Sequence, residues 1–155
     1  MLNLVGTEFV NFKFEDEKFF APMKEVKNVT FKNCTFKAIK DWKQFIGCKF
    51  INCIFEGATL QHCTFKDECT LEKCNFKDAD MKGFHFAYDV TIKECNFDNA
   101  DLEEASIIDT KVENCSFKNC NVNKIFFKYV EGKGHDVPAE MKEANNFDKM
   151  KVVVW

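Results

Sequence analysis

Large apolar residues recur every five positions through the middle of the chain. The runs are Phe50, Phe55, Leu60 and Phe65; Leu71, Phe76, Met81 and Phe86; and Ile92, Phe97, Leu102, Ile107, Val112, Phe117, Val122 and Phe127. Phe31 and Phe36 keep the same step upstream. Five is neither the 3.6-residue helix period nor the strand period of two. A five-residue unit must repeat by another geometry. Four such units make a square turn of about twenty residues, and stacked turns make a solenoid.

A second column lies two positions before each centre. It holds Cys34, Cys48, Cys53, Cys63, Cys69, Cys74, Cys95, Cys115 and Cys120, all nine cysteines of the protein, beside residues such as Ala58, Ala79, Ala100 and Ala105. The other three positions are mostly Lys, Asn, Asp, Glu, Thr and Ser. Each unit thus directs two side chains inward and three outward. Grouping by four puts Phe31, Phe55, Phe76, Phe97 and Phe117 on one predicted face, with Lys32, Glu56, Lys77, Asp98 and Lys118 beside them. Phe36, Leu60, Met81, Leu102 and Val122 fall on the next. Single insertions before Leu71 and Ile92, and a longer one around 41–48 before Phe50, share one corner, as tolerated insertions in a solenoid do.

The units 57-GATLQH-62, 78-DADMKG-83 and 99-NADLEE-104 resemble the A-(D/N)-L-x-x consensus of the pentapeptide-repeat family. The resemblance spans residues 29–127 and implies an all-β solenoid, a right-handed quadrilateral β-helix of about five coils. Cys stands in the small inward column where the family more often has Ala. Residues 1–28 read as an N-terminal cap or an imperfect first coil, because Leu4, Phe9, Phe14 and Phe19 keep the spacing.

Residues 128–155 leave the period and read as a C-terminal cap, since a solenoid's end must be covered. Asp136 is the expected N-cap and Pro138 lies just inside the first turn. Val137, Met141, Ala144 and Phe147 form the apolar stripe of a helix over about 137–149, followed by a short strand over 151–155. Resemblance to quinolone-resistance members implies that this segment also forms a homodimer interface, burying Trp155.

The stretch 48-CKFINCIFEGATLQHC-63 looks like a metal site, but its spacing argues otherwise. Structural zinc pairs thiolates two to four residues apart, whereas the closest spacing here is five. A dry apolar core also disfavours thiolate. Disulfides between stacked coils fit in distance, but parallel Cβ vectors and an odd count oppose them. The cysteines are expected to be small, buried, reduced packers. His62, His85 and His135 are scattered, so no nucleophile has a base and an orienting group beside it. The 132-GKG-134 triplet is too short for a phosphate loop. No catalytic, metal or cofactor site is expected, and no enzymatic activity.

Function must then lie on the outside. All 22 cationic residues are Lys and the net charge is -3, so the arginine fork that reads phosphate and bases is missing. Direct nucleic-acid binding is not expected. No apolar run approaches the ~20 residues of a membrane span, and MLNLVGTEFV has no signal-peptide pattern. A soluble cytoplasmic protein is expected, where thiols stay reduced.

Two features mark a candidate partner surface. Glu94, Asp98, Asp101, Glu103, Glu104, Asp109 and Glu113 make an acidic belt around one turn, and Trp42, Phe45 and Tyr88 gather as aromatics at the insertion corner. The expected role is a non-enzymatic protein-binding module, an inhibitor or protector of a larger enzyme. The resemblance implies an alternative, a DNA mimic that binds gyrase, topoisomerase or another DNA-binding protein. The tail stripe implies a further one, a structural or homodimeric scaffold.

Overall fold

Each unit is a short extended rung, and the residue two positions after its centre turns the corner in the left-handed conformation. Asn33, Asn52, Gly57, Asp78, Gly83, Asn99, Asn114 and Asn119 are among those with φ between 52° and 66°. Gly and Asn reach this region at low steric cost, which explains their recurrence there. The computed structural model describes residues 3–40 and 42–155.

Stacked rungs form four parallel faces of a right-handed β-helix with about seven turns. Face 1 is centred on Phe9, Phe31, Phe50, Leu71, Ile92 and Val112. Face 2 carries Phe14, Phe36, Phe55, Phe76, Phe97 and Phe117, whose successive rings stack 4.6 to 5.1 Å apart. Face 3 carries Ile39, Leu60, Met81, Leu102 and Val122. Face 4 carries Val26, Phe45, Phe65, Phe86, Ile107, Phe127 and Val152. Except for Val112, which is partly covered, and the terminal Val152, these centres are buried. Each burial of a large apolar side chain contributes about 1.5–3 kcal/mol.

The register corrects the sequence reading in one place. Phe31 stacks on Phe50, at 4.9 Å, and Phe36 stacks on Phe55, at 4.7 Å. Both were expected one face further on. Ile39 takes face 3 only three residues after Phe36, and Phe45 takes face 4 six residues later, so no long insertion precedes Phe50. Phe45 is therefore a core residue on the strand Gln44–Ile46, fully buried and not an exposed corner aromatic. Lys37, not Lys32, belongs to the charge column of face 2. The stack is also longer than five coils, because both termini join it.

The two single insertions are bulges at the corner between faces 4 and 1. Asp67 and Glu68, and then Tyr88 and Asp89, are left-handed in pairs, and the ladder skips between Ala87 and Val90.

All nine thiols are free and buried. Five of them, Cys34, Cys53, Cys74, Cys95 and Cys115, make one column beside the Phe stack. Each S–H donates to the backbone carbonyl of a face 1 centre one coil earlier, at 3.3 to 3.7 Å. Cys thus fills the small slot and supplies a weak donor that Ala lacks. Burial pushes the Cys120 thiol up to about 12.

At the N-terminal end a 3-10 turn, Glu17–Phe19, replaces the face 3 rung, and Phe20 fills the core there. Lys43 occupies an inward slot, is buried, and donates from Nζ to the carbonyls of Ala21 and Met23. At the C-terminal end the expected helix over 137–149 is instead two short 3-10 turns, Ala139–Glu143 and Phe147–Lys149, and Asp136 is not the N-cap, which is Pro138. The ladder overrides helix here: Asn145 donates to the carbonyl of Cys120 and accepts from the amide of Val122. Val137, Met141, Ala144 and Phe147 still face the core, with Met141 fully buried. A spacing of three suits a 3-10 turn as well as a helix. The strand Lys151–Val154 closes the stack. Among the described residues no helix is long and apolar enough to cross a membrane.

Candidate interaction surface

The core of the described residues is filled by the inward columns, and clefts open on the outside beside Met23 and Val26, beside Trp42 and His62, and beside Phe12 and Phe19. Chemistry must therefore be sought on the walls. Faces 1 to 3 present charged columns. On face 2 the order is Lys37, Glu56, Lys77, Asp98, Lys118, alternating down the wall.

Face 4 differs. From the rung of Phe45 to that of Phe127, its outward positions are Gln44, Ile46, Thr64, Lys66, His85, Ala87, Ser106, Ile108, Phe126 and Lys128. Over these five rungs two lysines are the charges at neutral His and no outward position is a carboxylate; the end rungs add Glu25, Lys27 and Lys151. Burial and the neighbouring His62 hold the His85 imidazole below its ordinary value, favouring the neutral form. This wall is also regular strand on consecutive rungs, so it is flat.

Two exposed aromatics bound it. Trp42, 66% exposed, turns the corner from face 3, and Tyr88, 55% exposed, sits in the bulge toward face 1. The sequence reading put them at one corner; they stand instead at the two edges of one wall. Trp42 is braced, because its indole stacks on His62 with 4.4 Å between centroids.

The acidic belt circles one turn, but several of its members are engaged. Asp98 accepts from the Ser116 hydroxyl and the Lys118 amide. Asp101 accepts from the Glu103 and Asn121 nitrogens and pairs with Lys82 at 3.5 Å. Glu103 accepts from Asn123, and Glu113 pairs with Lys111 at 3.0 Å. Glu94 and Glu104 are exposed. The belt thus ties one coil to the next.

Sequence reasoning missed one cluster. His135 Nδ1 lies 2.6 Å from Asp109 Oδ1, and Lys133 Nζ lies 3.4 Å from Asp109 Oδ2. These partners hold the Asp109 carboxyl below its ordinary value, His135 most strongly. The 132-GKG-134 triplet was the available signal, since it marks a tight turn in the tail. At the end of the chain, Lys128 Nζ lies 3.5 Å from the centroid of the Trp155 ring, which stays 72% exposed.

Comparison with known proteins adds the following. Residues 44–85 match a family profile described as pentapeptide repeats (9 copies), and residues 88–124 match one described as pentapeptide repeats (8 copies), together just over half of the chain. No curated protein matches it. Similar solved structures include a trypsin-treated variant of QnrB1, a plasmid-mediated fluoroquinolone resistance protein, at 16% identity and a TM-score of 0.46, covering 94% of this chain and 91% of that one. A pentapeptide repeat protein from the Arabidopsis thaliana thylakoid lumen aligns at 17% identity and 0.41, covering 79% of this chain and 66% of that one, just under two thirds of its length. HetL, a pentapeptide repeat protein involved in heterocyst differentiation regulation in a Nostoc cyanobacterium, aligns at 8% and 0.37, covering 97% and 86%.

Proposed function

The chain belongs to the pentapeptide-repeat family, and from that premise we propose that it is a non-enzymatic protein-binding module acting through the outside of a rigid β-helix. One observation carries the reading: face 4 is flat, poor in charge, and edged by Trp42 and Tyr88. Interface cores are depleted in charge and enriched in aromatics, and this wall matches that pattern. The wall is too flat to enclose a small ligand, so its partner is read as the surface of a larger protein. Nine buried free thiols suit a reducing compartment, and we place the protein in the cytoplasm.

The test is cross-linking capture with the native chain and with Trp42→Ser/Tyr88→Ser. Loss of the captured partner supports face 4. An unchanged partner set overturns it, and the binding surface would then lie elsewhere on the helix.

A DNA mimic would need a stripe of unpaired acids, whereas face 2 alternates in sign and the belt is tied into the ladder. A gyrase supercoiling assay is expected to show no inhibition and no protection. A homodimer has one observation in favour: Val152 occupies a core position of the last rung yet is 45% exposed. Light scattering on the native chain against Val152→Lys/Trp155→Ser tests it, and a monomeric native chain removes it.

A further inference from the structure

Three segments far apart in sequence converge at the corner between faces 4 and 1. Asp89 belongs to the bulge in the strand His85–Lys93, Asp109 is the corner residue of the next coil, and His135 comes from the tail. One ligand atom from each lies within 4.8 Å of the other two. We propose that Asp89, Asp109 and His135 form a binding site for a divalent cation of the zinc class, with its remaining coordination positions open to solvent.

The donor set fits that class. Two carboxylate oxygens and one imidazole nitrogen suit borderline first-row divalent ions, and the softer thiols are sequestered in the core. The spread needs adjustment at both ends. Donors held at about 2.0–2.2 Å around one ion sit roughly 3.3–3.6 Å apart, so the ion opens the 2.6 Å hydrogen bond between His135 Nδ1 and Asp109 Oδ1, and the exposed Asp89 swings inward.

The scaffold is rigid where it matters. Ala87 pairs with Ile108 and Val90 with Thr110, so the bulge residue Asp89 and the corner residue Asp109 are held on adjacent rungs. Lys133 pairs with Asp109, while Asp89 makes no ion pair among the described residues. One carboxylate of the two is left for a further cation. Gly132 and Gly134, at φ of 86° and 74°, let the tail turn tightly enough to deliver both Lys133 and His135 to Asp109.

A cation-free reading of the same contacts is an ion-pair network that only pins the tail. The two readings differ on Lys133. In the network it is a stabilising member; beside a bound metal it is a competitor for Asp109.

The experiment uses the full chain, chelator-treated under a non-thiol reductant, titrated with Zn2+ by calorimetry and with Co2+ by absorption. One ion per chain is expected, with a Co2+ spectrum lacking the thiolate charge-transfer band. Even groups that only support a ligand are worth about 10–100-fold in metal affinity, so Asp89→Asn and His135→Ala should each weaken binding at least tenfold. Lys133→Met should leave it equal or tighter. Asp89→Asn lies on the exterior and leaves the ladder intact, so its effect is not one of folding. The proposal is overturned by no binding of either ion at millimolar concentration, by a thiolate band, by unchanged affinity in Asp89→Asn, or by a Lys133→Met loss as large as that of His135→Ala.

Discussion

His62 lies flat between Trp42 on one coil and Gly83 on the next: its ring is 13° from the indole plane, and a Cβ added at Gly83 would overlap it. The glycine therefore seats the imidazole, and the imidazole seats the exposed tryptophan. Gly83→Ala is expected to destabilise by about 1 kcal/mol or more, since φ is 66° there. It should also shift Trp42 fluorescence. Gly57→Ala is the control, with φ of 65° but nothing within 4 Å of the new Cβ. Equal fluorescence changes in the two variants would show that Gly83 does not seat the stack.

Cys74 sits midway in the five-thiol column and donates to the Phe50 carbonyl at 3.3 Å. Cys74→Ala should stay folded and lose about 0.5–1.5 kcal/mol, as other single-group core deletions do. Cys74→Leu overpacks the corner and should cost about 1–3 kcal/mol. Urea denaturation measures both. Metal stoichiometry should not change in Cys74→Ala; a loss of bound ion would assign the site to the thiols.

Much of this was legible in advance, because inward packing is written directly into the five-residue step. The Phe centres and the Cys column needed only spacing to be found. The frame failed between Phe36 and Phe50, where a three-residue step to Ile39 is followed by a six-residue step to Phe45. The shortened step and the lengthened one nearly cancel, so a fixed period hides both and turns Phe45 into an apparent loop residue. Trp42 and Tyr88 fall off the inward columns, but spacing alone left inward packing against the loop as open as exposure. The tail was not legible. Its spacing of 4, 3 and 3 suits a helix, but the amide and carbonyl of Asn145 are claimed by the ladder. The meeting of His135 with Asp109 has no periodic signal, since a turn at two glycines sets it.

Among the described residues Lys43 is the one buried lysine, and its ammonium serves the carbonyls of Ala21 and Met23, where a 3-10 turn replaces the face 3 rung. Lys43→Met keeps the volume but removes the donor. Leaving a buried acceptor unpaired costs about 1–3 kcal/mol, and that is the loss expected here. An unchanged urea midpoint would mean that water serves those carbonyls instead.

Asp109 links stability to pH. His135, aided by the charge of Lys133 and opposed by partial burial, holds its native carboxyl below the ordinary value, which the unfolded chain retains. Its contribution is therefore complete above the ordinary carboxylate range and is lost as pH falls through the depressed native value. Thermal melts below about pH 5 should fall more steeply for the native chain than for Asp109→Asn. Parallel slopes would show that this pair does not stabilise the tail.

Asn99 turns the corner after Phe97 with φ of 60°. A left-handed residue costs about 1–2 kcal/mol for an ordinary side chain, and least for Gly and Asn. Asn99→Gly should therefore be nearly neutral, and Asn99→Val should lose about 1–2 kcal/mol, although neither changes the core. The comparison separates corner geometry from packing. If Asn99→Gly lost as much as Asn99→Val, the side chain of Asn99 would be holding the corner through a contact, and the recurrence of Asn at these positions would need that contact, not backbone freedom, as its cause.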